Sequence, residues 1–239
     1  MAASGWTKPV CIATLALAAL HGFAQAPVPP TSSTPSQPHF VVLLDAAHGG
    51  EDHGGTLSNN QSEKAVTLAF SVRLRSLLSA RGIQVVTTRE ADKTLAASDR
   101  AELANRATPQ ACISLHAAET GSGVHLFTSS LSPSAAARFS AWKTAQSAVI
   151  TRSLALAGVL NSALTQAGFN VTLGRTALPG IDSMTCPAVA LELAPQRDAS
   201  HKITAEPGDA GYQASIAQAL ATALLEWKSS QAETGAHLP

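Results

Sequence analysis

The chain has 239 residues, and its lysine and arginine residues balance its aspartate and glutamate residues, so the formal net charge is zero. No run of basic residues is present, and nucleic acid is therefore not an expected partner. Once the compositionally distinct ends are set aside, about 190 residues remain, which suffices for one domain with a full hydrophobic core.

The amino-terminal segment has the composition of an export signal. Lys8 supplies a positive charge, residues 10–20 form an apolar stretch too short to span a membrane comfortably, and Ala24-Gln25-Ala26 matches a cleavage pattern. Residues 1–26 are therefore predicted to be a signal peptide, with cleavage after Ala24 or retention as an anchor left open. We expect an exported protein of the periplasm or cell envelope, with no stable membrane span after signal cleavage.

Composition also predicts the domain boundaries. Proline, serine and threonine dominate residues 27–38, which is typical of a flexible or polyproline-like linker. A single domain is predicted from residue 39 to residue 228. Residues 229–239 are mainly polar and are predicted to form a flexible tail.

Apolar runs alternate with amphipathic stretches through the predicted domain. The runs predict strands at residues 40–45, 83–88, 111–115, 124–128 and 187–193. Apolar residues at helical spacing predict helices from Ser62 to Ala80, from about Ser98 to Ala107, from Ser134 to Ala167 with a break, and around Ile216, Leu220, Leu224 and Trp227. Residues 170–186 are predicted to be irregular. The alternation of strands and helices indicates an α/β sheet.

Two cysteines of the domain, Cys112 and Cys186, lie in or beside predicted buried strands. They are most simply interpreted as small apolar core residues, because free cysteine is often buried. A disulfide between them stays open, since disulfides persist in exported proteins. No C-x-x-C pair is present, which disfavours zinc ligation by cysteine.

Three residues with metal-binding side chains lie at the ends of predicted elements. His48 follows the first strand, Glu63 opens the first helix, and His116 follows the apolar run at residues 111–115. Ligands of open α/β sheets collect at the carboxyl ends of strands, so we expect these residues to meet there. Two imidazoles and a carboxylate can hold a zinc ion and leave one position for water, whose pKa zinc lowers to about 7. The sequence therefore predicts a hydrolytic zinc site.

Each of these residues also has an ordinary explanation when it is taken alone. A histidine at a strand end is usually a surface residue, and a glutamate in the first turn of a helix is favoured by the helix dipole. The loop of His48 also contains three rival ligands, Glu51, Asp52 and His53. The histidines interpreted as surface residues are His39, His125, His201 and His237.

A second carboxylate, Glu192, follows the apolar run at residues 188–191 and is predicted to be the catalytic residue. A carboxylate beside the metal can take a proton from water and deliver it to the leaving nitrogen. Taken alone, Glu192 is equally well explained as the partner of a buried cation. Asp45, which ends the first strand, is predicted to orient a ligand histidine.

Seven short motifs follow one another between residues 40 and 228. In order they are 41–50 (VVLLDAAHGG), 62–64 (SEK), 82–89 (GIQVVTTR), 100–105 (RAELAN), 113–117 (ISLHA), 122–124 (SGV) and 187–192 (PAVALE). Together they resemble the zinc-dependent N-acetylmuramoyl-L-alanine amidases of the Amidase_3 family, which hydrolyse the cell wall. The resemblance covers the whole predicted domain.

The resemblance implies a mixed, mainly parallel sheet that is flanked by helices on both faces of a single domain. It implies Zn²⁺ as the cofactor, His48, Glu63 and His116 as its ligands, and Glu192 as the catalytic glutamate. It also implies peptidoglycan as the substrate, with cleavage of the amide between N-acetylmuramic acid and L-alanine.

The chain departs from the family pattern at three places. Ala46-Ala47 replaces Pro-Gly before the first histidine, Ala118 stands where asparagine is common, and Ala194-Pro195-Gln196 replaces the usual continuation after the glutamate. Two other functions are therefore kept as alternatives, a zinc peptidase that acts on the stem peptide and a catalytically silent wall-binding module. The identity of an activator protein is left open.

Overall fold

The computed structural model of the chain describes residues 40–58, 60–133 and 142–236. The predicted signal peptide and linker, residues 1–26 and 27–38, lie outside the described residues. Among the helices that are described, none is both long enough and apolar enough to cross a membrane.

Six strands form one mixed sheet. They are β1 Val41–Ala46, β2 Gln84–Thr87, β3 Ala111–Ala117, β4 Val124–Ser129, β5 Val171–Thr176 and β6 Ala188–Leu193. Their order in space is β2-β1-β3-β6-β4-β5. The first four of these run parallel, β4 lies antiparallel to β6, and β5 is parallel to β4. The four parallel strands therefore end on one side, called here the carboxyl end of the sheet, and β4 and β5 begin there.

Within the described residues, four α-helices cover the two faces of this sheet, as predicted. They are α1 Glu63–Ala80, α2 Ala97–Ala107, α3 Ile150–Gln166 and α4 Ala210–Ala236. Apolar residues of α1, α3 and α4 pack on one face with Leu44, Leu115 and Leu191. Helix α2 packs on the other face with Leu43 and Ala190. Since successive residues of a strand point to opposite faces, the polar residues near the strand ends lie on the face of α2.

Helix α1 shows why the local sequence brings Glu63 to the carboxyl end of the sheet. Val66, Phe70 and Leu74 recur every four residues and are buried against the sheet, which fixes the helix axis. The helix ends in a Schellman motif, because Gly82 adopts a φ of 73° and the N–H of Ile83 donates to the carbonyl of Leu78. The axis and its fixed end place the first residue, Glu63, beside β1 and β3.

Most predicted elements are confirmed to within a few residues, but four regions differ. Residues 171–176 were predicted to be irregular but form the edge strand β5. This strand is largely exposed, so its sequence lacks the continuous apolar run of a buried strand. A 3₁₀ helix, Trp142–Ala148, precedes α3. A small hairpin of β7, Gln196–Arg197, and β8, Ile203–Ala205, follows β6. Helix α4 continues to Ala236, so most of residues 229–239, which were predicted to form a flexible tail, are helical.

Cys112 and Cys186 form a disulfide that joins β3 to the segment before β6. Both residues are buried in the smaller core, with 1% and 3% exposure, so the prediction that they are core residues is also confirmed. The bond closes a loop with a sequence separation of 74 residues. Because the loop is long, the bond removes much conformational entropy from the unfolded chain.

Reduction of this disulfide is expected to lower the free energy of unfolding by about 2–4 kcal/mol. The measurement is denaturant unfolding of the purified protein with and without a thiol reductant. The matched control is the double variant Cys112→Ala/Cys186→Ala, whose unfolding should not respond to the reductant. Equal unfolding of oxidised and reduced wild-type protein would contradict the prediction.

Candidate metal centre

Three side chains with metal-binding atoms converge at the carboxyl end of the sheet. His48 lies just after β1, Glu63 begins α1, and His116 lies near the end of β3. One ligand atom from each of the three lies within 4.8 Å of the others. The Nε2 atom of His48 is 3.1 Å from Oε2 of Glu63, and Nδ1 of His116 is 3.0 Å from Oε1 of Glu63. Two nitrogens and a carboxylate thus face one small space.

The loop after β1 needs glycine to bring these atoms together. His48 itself has a φ of 62°, in the left-handed region. A Cβ at Gly54 would lie 2.6 Å from Cδ2 of His48 and 2.7 Å from Oε2 of Glu63. Only a residue without a side chain can therefore pass this close to both His48 and Glu63.

Two buried arginines hold the backbone before His48. Arg89 donates from Nε to the carbonyl of Ala46 and from Nη2 to that of Ala47, both at 2.9 Å. Arg100 donates from Nη1 to the carbonyl of Ala46 at 2.8 Å and from Nη2 to that of His48 at 2.7 Å. These bonds fix the loop although Ala46-Ala47 replaces Pro-Gly. The sequence contained these arginines within two of its motifs, but it gave no sign of their contacts.

The charge of Glu63 suits a cation site. Burial alone would raise the pKa of Glu63, but hydrogen bonds with His116 and His48 and from the Gly55 N–H outweigh it and hold the pKa well below its usual range. The hydrogen bond with Glu63 in turn raises the pKa of His48 against the opposing effect of burial, with a further contribution from Asp52. An ionised carboxylate thus lies between two imidazoles.

Each of the two converging histidines has a polar partner on its other nitrogen. The Nδ1 atom of His48 lies 2.8 Å from Oδ2 of Asp52, and this hydrogen bond lowers the pKa of Asp52. The Nε2 atom of His116 lies 3.4 Å from the hydroxyl of Ser114, which donates to Oδ2 of Asp45 at 2.8 Å. Such partners can take the N–H of a histidine when a metal binds, so that Nε2 of His48 and Nδ1 of His116, which contact Glu63 in the absence of metal, could then offer a lone pair.

These contacts correct two predictions about carboxylates. Asp45 contacts neither His48 nor His116 directly: its carboxylate pairs with Arg100 at 2.6 Å and reaches His116 through Ser114. Asp52, a predicted rival ligand, is instead the direct partner of His48. Of the remaining rivals, Glu51 and His53 are exposed, and within the described part of the chain neither belongs to the metal-binding group.

Glu192 lies on the strand next to His116. The two residues are partners in the register of β3 and β6, so their side chains point to the same face of the sheet. Glu192 is 30% exposed and is not one of the three converging side chains. Its carboxylate lies 2.8 Å from Nδ1 of His125. This contact corrects the interpretation of His125 as a surface residue, since its side chain is only 16% exposed.

The remaining histidines fall into two groups. His201 is exposed, as predicted. His39 and His237 lie outside the described residues.

A pocket opens beside the three converging side chains. His48, His116 and Arg100 contribute its polar part, and an apolar wall completes it, formed by Leu95, Ala97, Leu178, Pro179 and Ile181. The side chains of His48 and His116 are 23% and 34% exposed, so the converging atoms are reached from solvent. An accessible site of this kind is typical of catalytic metals, whereas structural zinc is enclosed by four protein ligands.

The donor set fits zinc. Two neutral imidazole nitrogens and an ionised carboxylate are ligands that zinc accepts, and three protein ligands leave one position for water or substrate. The ionised state of Glu63 and the polar partners on the other nitrogen of each histidine suit a divalent cation.

Comparison with known proteins agrees with this fold. The catalytic domain of CwlV, an N-acetylmuramoyl-L-alanine amidase from Bacillus (Paenibacillus) polymyxa, superposes with a TM-score of 0.61 at 25% identity, covering 80% of this chain and 98% of that one. The N-acetylmuramyl-L-alanine amidase Ami1 from Mycobacterium smegmatis has the same fold, with a TM-score of 0.64 at 21% identity over 80% of this chain and 97% of that one.

Curated relatives match over shorter segments. AmiA of Escherichia coli (strain K12), an N-acetylmuramoyl-L-alanine amidase, is 39% identical over 77 residues, which cover 32% of this chain and 27% of that protein. The germination-specific N-acetylmuramoyl-L-alanine amidase of Bacillus subtilis (strain 168) is 43% identical over 56 residues, 23% of each protein. The matches thus span about a quarter of the length of these relatives. The family model for N-acetylmuramoyl-L-alanine amidases matches residues 42–226, and the chain therefore belongs to the Amidase_3 family.

Proposed function

We propose that this chain is a zinc-dependent N-acetylmuramoyl-L-alanine amidase of the cell envelope. The observation that carries the proposal is the convergence of His48, Glu63 and His116 in an accessible site of an Amidase_3 domain. The substrate is peptidoglycan, in which the enzyme cleaves the amide between N-acetylmuramic acid and L-alanine. Export is proposed from the composition of residues 1–26.

In this proposal the three converging residues hold the zinc ion. When bound, zinc supplies a Lewis acid that polarises a carbonyl oxygen and lowers the pKa of water. Asp52 and Ser114 would accept the remaining N–H of each imidazole once the ion is held, leaving its other nitrogen for the ion. Arg89 and Arg100 hold the loop that carries His48.

Glu192 acts as the general base and then as the general acid. It accepts a proton from the water that attacks the amide carbonyl carbon. It then delivers this proton to the amide nitrogen as the bond between the lactyl carbon and that nitrogen breaks. Its position on the strand beside His116 supports this role, because both side chains lie on the same face of the sheet.

The experiment that tests the function is product analysis by mass spectrometry after purified peptidoglycan has been digested with the zinc-loaded protein. We expect free lactyl carboxyl groups on N-acetylmuramic acid and stem peptides with a free L-alanine amino group. Shortened stems that remain attached to the glycan would instead identify a peptidase. An unchanged wall that the protein nevertheless binds would identify a silent wall-binding module.

A further inference from the structure

A row of three polar residues crosses the carboxyl end of the sheet on the face of α2. His116 on β3 is the register partner of Glu192 on β6, and Glu192 is the register partner of His125 on β4. Partner residues on adjacent strands share a face, so the three side chains lie side by side. Glu192 is therefore placed between the metal-binding group and a second histidine that the proposed metal site does not use.

His125 holds one oxygen of the Glu192 carboxylate. Its Nδ1 atom lies 2.8 Å from Oε1, and within the described part of the chain it is the only hydrogen-bond partner of this carboxylate. An ionised carboxylate only accepts hydrogen bonds, so Nδ1 of His125 carries the hydrogen. The other oxygen, Oε2, is left for proton exchange with water and substrate.

The surroundings of His125 fix its ring. A Cβ at Gly121 would lie 2.4 Å from Cε1 of His125, so the glycine backbone packs directly against the imidazole. The ring of Phe127, two residues further along β4 on the same face, makes an edge contact with a centroid distance of 6.3 Å. An imidazole held on two sides has few rotamers, which makes it a suitable anchor for a flexible glutamate.

We propose that His125 is a positioning residue for Glu192. By donating from Nδ1 to Oε1, it selects one rotamer of the glutamate and keeps Oε2 directed to the reaction. The proposal rests on the proposed amidase function, because it assigns His125 a role only through the base of that reaction. It also gives a function to a residue whose sequence position offered no reason to single it out.

The test compares His125→Leu, which removes the donor, with His125→Asn, whose side-chain N–H can replace Nδ1. The assay is hydrolysis of a soluble muramyl peptide by the zinc-loaded protein. In His125→Leu we expect kcat to fall about 10-fold to 100-fold, because a base that is misplaced by about 1 Å loses up to this much rate, while KM and zinc content stay at wild-type values. In His125→Asn most of kcat should return. The control is His201→Asn, an exposed histidine with a φ of 63° that asparagine tolerates, and it should leave kcat unchanged.

A double variant separates positioning from a general loss of structure. If His125 acts through Glu192, His125→Leu should reduce the residual kcat of Glu192→Gln by less than twofold. The proposal would be overturned if His125→Leu lowered the kcat of Glu192→Gln by the same factor as it lowers the kcat of wild type. A kcat of His125→Leu equal to that of wild type would also overturn it. A loss that asparagine fails to restore would overturn it as well. Inactive wild-type protein would overturn the proposed function and this role together, whereas active wild type with unaffected His125→Leu would overturn only the role.

Discussion

Replacement of Glu192 by glutamine is expected to lower kcat by about 10²-fold to 10⁴-fold while zinc stays bound. Glutamine has nearly the same shape and still accepts the hydrogen bond from His125, but it cannot take up a proton. Because Glu192 is not among the three converging side chains, its loss should leave the metal site intact. The measurements are steady-state hydrolysis of a muramyl peptide and zinc content by atomic emission.

The matched control for this prediction is Glu119→Gln. Glu119 is an exposed glutamate in the turn after β3, near the same end of the sheet, so the change in charge is the same. Its kcat should equal that of wild type. Undiminished turnover in Glu192→Gln would rule out the assigned role, and a simultaneous loss of zinc would place Glu192 among the ligands instead.

Replacement of His116 by alanine is expected to remove most of the bound zinc and, with it, the hydrolytic activity. Two ligand atoms would remain, on His48 and Glu63, and Glu63 would lose the partner that lies 3.0 Å from its Oε1 atom. We expect at least a 100-fold loss of zinc affinity, which exceeds the 10-fold to 100-fold effect of losing a partner of a ligand. Zinc content after dialysis against a weak chelator measures this effect, and circular dichroism reports whether the variant is folded.

His53→Ala serves as the matched control for His116→Ala. His53 is an exposed histidine in the loop of His48 and was a rival ligand in the sequence. It should retain zinc and activity. If His53→Ala lost zinc while a folded His116→Ala retained it, the assignment of the ligands would be wrong.

The fold was largely predictable because the central strands are buried. Continuous apolar runs such as the one in β1 are expected of a strand that is covered on both faces, and these runs predicted their strands to within a few residues. Strand β5 was not predicted because it lies at the edge of the sheet. Its residue Leu173 is 56% exposed, and an exposed strand does not require an apolar run. The order of the strands in the sheet could not be predicted from the sequence, because it depends on pairing between segments that are distant along the chain.

The candidate site was predictable only in part, because many of its contacts also join residues that are distant along the chain. His48 and His116 could be selected because they follow buried strands, whose carboxyl ends meet in a parallel sheet. The contacts of Arg100 with the carbonyls of Ala46 and His48 join residues more than fifty positions apart, and no local pattern indicates them. His125 was interpreted as a surface residue because nothing in the sequence shows the direction of β4.

The antiparallel direction of β4 determines which of the segments before and after this strand can change in length. Because β4 begins at the carboxyl end of the sheet, the six residues between Ala117 and Val124 must close tightly, and a Cβ at Gly123 would lie 2.1 Å from the carbonyl oxygen of Asn170. An insertion there would displace His125 from Glu192. The chain leaves β4 at Ser129, on the opposite side of the sheet. Segments added beyond Ser129 can thus diverge in length and sequence between relatives while the reacting groups keep their positions.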